Sequence, residues 1–162
     1  MVEEETLSDF QESRVSEDAL DDTGYVMSIE VAHTTVDGNV KKATNTYYEF
    51  AGINTRSTKD MDNVAQADKE VALKRTGAYR VQLEPNANRT TAIEAGDLVA
   101  VGDTTPGKIM NLVDCAAYSD LGTPTNAKIV KFMKAIVGRA KEAIGAGADT
   151  VDGKLLVELG QS

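Results

Sequence analysis

Tyr79-Arg80-Val81-Gln82-Leu83 places an apolar side chain at every second position and ends two residues before Pro85. In an extended chain that alternation turns Tyr79, Val81 and Leu83 to one face and Arg80 and Gln82 to the other, while proline cannot donate to a strand ladder. The stretch therefore predicts a half-buried strand with a defined end. The same grammar continues on both sides. Upstream, Val71-Ala72-Leu73 is separated from it by a turn around Thr76-Gly77. Downstream, a polar loop over Asn86 to Thr91 leads to Ala95-Gly96-Asp97, a turn feeding Leu98-Val99-Ala100-Val101. Thr105-Pro106-Gly107-Lys108 is another turn, ahead of Ile109 to Val113, and 114–127, with Gly122 and Pro124, reads as a loop. Asp152-Gly153 then leads into Leu155-Leu156-Val157-Glu158-Leu159, a final strand.

The N-terminal half follows the same pattern less regularly. Tyr25 to Val31 alternates at its end, and Val36-Asp37-Gly38-Asn39-Val40 sets an Asp-Gly turn between two strands, a hairpin signal. Ala43 to Phe50 is rich in β-branched and aromatic residues and predicts a strand with Tyr48 and Phe50 on one face and Tyr47 on the other. Those aromatics belong to a sheet core or to a subunit interface, where tyrosine is favoured. Residues 54–69 are polar and read as a loop or a short helix.

One stretch supports two readings. Ile129, Val130, Met133, Ile136, Val137, Ala140, Ala143 and Ile144 follow helical spacing among Lys128, Lys131, Lys134 and Lys141. Against a helix, Gly138 sits inside it at a cost of about 1 kcal/mol relative to Ala, and Ala135 to Ala140 reads equally well as a buried strand.

The chain has 162 residues, 41% of them hydrophobic, enough for a substantial core without disulfides. One cysteine, Cys115, and one histidine, His33, supply neither a disulfide framework nor a zinc site of four Cys or His ligands. The apolar runs are too short to span a bilayer, and MVEEETLSDF carries acids where a secretory signal carries bases, so synthesis in a cytoplasm is expected. Net charge is −9, and it is concentrated. Residues 1–24 hold nine of the 26 acids and one of the 17 bases, leaving 17 acids and 16 bases for 25–162. The expected organisation is an acidic N-terminal arm over 1–24 and a β-rich domain over 25–162. Such an arm repels a phosphate backbone, so no nucleic-acid partner is expected, and the short apolar runs point to no membrane partner. It is either a solvated leader or an arm that orders on a partner, with Phe10, Val15, Leu20 and Tyr25 as its apolar anchors.

Catalytic constellations are hard to assemble from these residues. His33 beside Thr34 and Thr35 reads as a surface residue, and Cys115 between apolar neighbours as a small packed side chain. No G-x-S-x-G elbow is present, and Gly145-Ala146-Gly147-Ala148 lacks the Gly-Lys-Ser/Thr of a phosphate cradle. Asp60, Asp62 and Asp120 are the acids considered for calcium, but Asp60-Met61-Asp62-Asn63 lacks the glycine and distal glutamate of an EF-hand loop. Asn88-Arg89-Thr90 matches a glycosylation acceptor and reads as an ordinary loop. The expectation is a non-enzymatic protein with no catalytic residues, no metal and no cofactor.

From Lys69 to Leu159 the sequence resembles the head decoration, or capsid cement, proteins of tailed phages. The resemblance lies in the order of Val71-Ala72-Leu73, Thr76 to Pro85, Ala95-Gly96-Asp97-Leu98-Val99, Ile136 to Ala143 with its internal glycine, Gly145 to Asp149, and Leu155 to Leu159. It tips the 128–145 stretch toward strand. It implies a mainly β fold, a small β-barrel or β-sandwich-like decoration module carrying the acidic arm. It also implies a place on the outside of an icosahedral virion capsid, the major capsid protein as partner, and a homotrimer. On that footing Phe10, Leu20, Tyr47, Tyr48 and Phe50 are the candidate capsid or subunit contacts. A tail, fibre or receptor-binding virion component is the alternative, followed by a small β-rich ligand-binding domain or hydrolase.

Overall fold

A computed structural model describes residues 11–160. Five strands come from the first half of the chain: β1 (Glu12–Ser16), β2 (Val26–Ser28), β3 (Lys41–Lys42), β4 (Phe50–Asn54) and β5 (Lys69–Lys74). They lie side by side in the order β1-β5-β4-β2-β3, every neighbouring pair antiparallel. Five more come from the second half: β6 (Gly77–Gln82), β7 (Leu98–Val101), β8 (Ile109–Asn111), β9 (Ile136–Ala140) and β10 (Lys154–Leu159). Their order is β6-β10-β9-β7-β8, again antiparallel. Each sheet brings its two edges together through one parallel bridge, Ser16 to Val40 in the first and Leu83 to Ile109 in the second. Joining edges in this way leaves few unpaired backbone groups for another chain to zip onto. The mainly β expectation holds in this two-sheet form.

Leu20, Tyr25, Met27, Val40, Ala51, Val71 and Leu73 pack together on the first sheet. A larger cluster, including Val81, Val99, Ile109, Val137, Leu155 and Val157, belongs mostly to the second and takes in Val26, Tyr48 and Ile53 from the first. The seam is hydrogen-bonded as well. Gly24 donates its N–H to the Asn54 carbonyl and accepts from the Gln82 N–H, so one residue ties β4 to β6. Its φ is +93°, and a Cβ at this position would lie 2.7 Å from the Arg80 carbonyl oxygen, so the place is reserved for glycine.

Besides the Val36 to Val40 hairpin, whose upstream side is turn and bend and not strand, and the 114–127 loop, which carries the helical turn Ala116–Ser119, three sequence expectations change. The acidic stretch read as an arm over 1–24 is, from Glu12 onward, part of the first sheet: β1 pairs with β5 residue for residue, from Glu12 opposite Leu73 to Ser16 opposite Lys69. The acids of its described part are engaged within the chain. Glu17 accepts from the N–H groups of Thr35 and Val36 and from Asn39, Asp18 from the Lys42 N–H, Asp21 from the Tyr25 hydroxyl, and Asp22 from Lys154. Second, Ala43 to Glu49 is not a strand. Thr44 and Tyr47 exchange backbone hydrogen bonds and make a turn, so extended pairing starts only at Phe50. Third, the ambiguous basic stretch is both readings in series, with a helix over Asn126–Ala135 running directly into β9.

Glu17 offers a pH test. Hydrogen bonds from the Thr35 and Val36 backbone, and from the Thr35 and Asn39 side chains, hold its carboxyl down to about 2 against some partial burial. A carboxyl lowered in the folded state gives stability that is complete above its unfolded value of 4.5 and is lost as pH falls toward 2. Glu17→Gln should therefore lower the urea midpoint at pH 6, with the gap from the parent closing as pH falls to 2. A gap independent of pH would refute this role for the charge.

Candidate attachment surface

Between β8 and β9 the chain leaves the sheet, forms the one-turn helix α1 (Ala116–Ser119), and then α2 (Asn126–Ala135). Thr125 caps α2, its hydroxyl accepting from the Lys128 N–H. The helix is amphipathic in sequence yet mostly uncovered. Among its residues Ala135 is buried and Phe132 packs partly against the core, whereas Ile129, Val130 and Met133 are 42%, 51% and 63% exposed. Tyr118 of α1, 44% exposed, lies with its ring 6.3 Å from that of Phe132 and extends the apolar area.

Charge sets this region apart as strongly as hydropathy does. Residues 126–141 contain five bases and no acid, while the rest of the chain holds all 26 acids against 12 bases. Lys128 reaches the Thr123 carbonyl and hydroxyl, Lys134 lies 3.9 Å from Glu49, and Lys131 stands 5.9 Å from the centre of the Tyr48 ring. A groove of about 440 Å³ runs between α2 and the 30–48 segment, with Val130, Lys131 and Lys134 on one wall and Tyr48, Thr46 and Glu30 on the other. Apolar floor and cationic rim together suit a partner that is acidic and apolar at once.

The contact residues expected from sequence are scattered. Phe10 lies outside the described residues. Leu20 is fully buried in the first core, and Tyr48 is buried in the second with its ring edge forming part of the groove wall. Phe50 packs partly buried against the second core. Tyr47 remains half-exposed and stacks on His33, with ring centres 4.5 Å apart. The helical spacing of Ile129, Val130 and Met133 was the available signal for the exposed face, but Ile136 and Val137 continue the same spacing into a covered strand.

The reactive and buried polar side chains elsewhere in the fold have structural positions. His33 faces the Lys42 carbonyl through Nε2. Cys115 is buried, and that burial pushes its thiol up, away from the thiolate a nucleophile needs. Asp60 holds its own turn, accepting from the Asp62 and Val64 N–H groups and from Gln66. Asp103 accepts from the Ala116 N–H, and desolvation raises its carboxyl, with nearby Glu84 acting in the same sense. Glu84 is fully buried and accepts from the N–H groups of Thr104 and Thr105, which fixes the β7–β8 turn. Arg89, the middle residue of the glycosylation-like triplet, is buried. Among the described residues no group of three or more His, Cys, Asp or Glu is placed to hold a metal ion, and no helix is long and apolar enough to cross a membrane.

Comparison with known proteins gives a likeness among solved structures. No protein-family model and no curated protein matches the chain. Among solved structures, it is similar to the N base of the head fiber gp8.5 of bacteriophage phi29, at 12% sequence identity and a TM-score of 0.42, over 94% of this chain and 95% of that one.

Proposed function

We propose that this chain is a non-enzymatic structural protein of a virion, bound to the outside of an icosahedral capsid and stabilising it by burying surface against the shell. The observation that carries the reading is the exposed apolar face of α2 within its basic surroundings. Ile129, Val130 and Met133 point to attachment, since a side chain of this kind gains about 1.5–3 kcal/mol when fully buried against a partner. The segments that resemble capsid cement proteins support it. From Thr76 onward they build the second sheet, each with a structural task there: Gly96 and Asp97 turn the chain into β7, and Gly138 lets β9 approach β10. The partner in this reading is the major capsid protein, and the chain acts as a homotrimer on the capsid surface. A protein that binds the assembled shell and not its parts shifts the assembly equilibrium in proportion to its occupancy, and many copies multiply a modest contribution.

Peptide mass spectrometry on density-purified virus particles tests the reading. The chain should be present in copy number comparable to the major shell protein, and particles stripped of it should break under milder stress. The Val130→Asp/Met133→Asp double variant keeps the fold, because both side chains are exposed, and should bind stripped particles roughly tenfold or more weakly, equivalent to the loss of about 1.4 kcal/mol or more. Absence from particles would overturn the proposal.

A further inference from the structure

We infer that in the free protein the α2 groove is occupied by residues 1–10 of the same chain. Their sequence, Met-Val-Glu-Glu-Glu-Thr-Leu-Ser-Asp-Phe, carries four acids and no base, with Val2, Leu7 and Phe10 as apolar residues. That is the chemical complement of α2, which offers Lys128, Lys131 and Lys134 around Ile129, Val130 and Met133. The remaining acids of the N-terminal stretch are engaged elsewhere: Glu12 with Arg14, and Glu17, Asp18, Asp21 and Asp22 as described above. Glu3, Glu4, Glu5 and Asp9 are the N-terminal acids outside the described residues, and Lys131 has no carboxylate partner among the described residues.

Direction and reach agree with this pairing. Glu12 and Asn54 both sit opposite Leu73, and β1 and β4 are each antiparallel to β5, so β1 and β4 run the same way. Extended backwards beyond Glu12, the line of β1 points from the Asn54 end of β4 toward its Phe50 end. Just beyond Phe50 is Glu49, 3.9 Å from Lys134 of α2. The run from Asn54 to Glu49 is about 17 Å at the rise of a strand, and β1 is displaced from β4 by two strand spacings, about 10 Å. Ten extended residues reach roughly 33 Å, so the segment spans the gap with length to spare. Because groove and segment belong to one chain, docking benefits from a high effective concentration, and a modest intrinsic affinity is enough. The groove shares Val130 with the proposed attachment surface and borders the rest of it, so attachment would require the segment to be displaced. Docking itself does not depend on the capsid reading and is measured on the isolated protein.

The test compares lysine acetylation in the full chain and in a chain starting at residue 11, resolved by peptide mass spectrometry. Lys131 and Lys134 should react about fivefold more slowly in the full chain at low salt, corresponding to roughly 80% occupancy, with the protection largely lost in 1 M salt, where charges are screened within about 3 Å. Replacing Glu3, Glu4 and Glu5 together by Gln keeps the length and should also abolish protection. Carbodiimide cross-linking of mixed nitrogen-14 and nitrogen-15 protein should join Glu3, Glu4 or Glu5 to α2 lysines within a single isotopic species. Equal acetylation with and without residues 1–10 would overturn the inference, as would protection that survives the triple Gln change. Cross-links that mix isotopes would also overturn it, by assigning the groove to a second copy.

Discussion

Gly138→Val should leave the protein largely unfolded at 25 °C, a loss of about 4 kcal/mol or more, at the upper end of what single substitutions cost. Gly138 lies in β9 opposite Leu159 of β10 and opposite Val99 of β7, so it is flanked on both sides within the second sheet. A Cβ there would sit 2.1 Å from the Glu158 carbonyl oxygen and 2.9 Å from a Val157 methyl. The nearest obstacle is backbone, not the end of a flexible side chain, so relief requires β9 and β10 to separate. Separation breaks the ladder at the centre of the larger core, where Val137, Val157 and Leu159 are all buried. Gly138→Ala carries the same Cβ and should lose at least half as much. Urea unfolding followed by far-ultraviolet circular dichroism measures both. An alanine variant with the parent's midpoint would show that the sheet opens at no cost, and would remove the account of why this position is glycine.

The same glycine shows where sequence reading runs out. Alternation and turn residues are local signals, so Tyr79 to Leu83, Leu98 to Val101 and Leu155 to Leu159 were legible, each within a residue or two of the observed strand. Gly138 looked like a flaw in a helix because its reason is a strand twenty residues later. The helical spacing before it was real and ended at Ala135, where Ile136 turns extended. Residues 12–24 read as a tail because their partners are remote. Ser16 sits opposite Lys69, and Asp22 meets Lys154 from the far end of the chain. Tyr48 read as a strand position, whereas the turn made by Thr44 and Tyr47 aims it inward.

The attachment surface was legible only in its ingredients. Periodicity marks apolar positions without saying which are covered, and only packing separates Val130, on the surface, from Val137 in the core. Charge segregation, by contrast, needs no structure: an acid-free run with five bases in a chain of net charge −9 is visible in the text. What the fold adds is that five of the nine N-terminal acids have partners among the described residues, four within the first sheet and its loops and Asp22 on Lys154 of β10, which leaves Glu3, Glu4, Glu5 and Asp9 as the acids outside them.

Arg89→Met should cost about 3 kcal/mol and release the 145–149 loop, and Arg89→Lys should recover less than half of that. The Arg89 side chain is fully buried, with Nε donating to the Glu84 carbonyl, Nη1 to the Gly145 carbonyl at 3.2 Å and Nη2 to the Ala148 carbonyl. Asp149, which also accepts from the Asn86 backbone and side chain, lies 3.8 Å from the guanidinium and balances its charge. One planar group thus holds three carbonyls on two loops in a fixed fork. Methionine fills much of the same volume and leaves those acceptors and the Asp149 charge unanswered. Lysine restores the charge but presents a single nitrogen at the end of a flexible stem, which cannot meet acceptors diverging from three directions. Glu84 makes the consequence wider than one loop, since its carbonyl takes Arg89 while its carboxylate holds the Thr104 and Thr105 N–H groups of the β7–β8 turn. Hydrogen exchange should accordingly rise in two places, over 145–149 and over 103–105, in the methionine variant. Full recovery of stability by lysine would mean that charge alone matters at this position, and exchange confined to 145–149 would break the proposed link between the two turns.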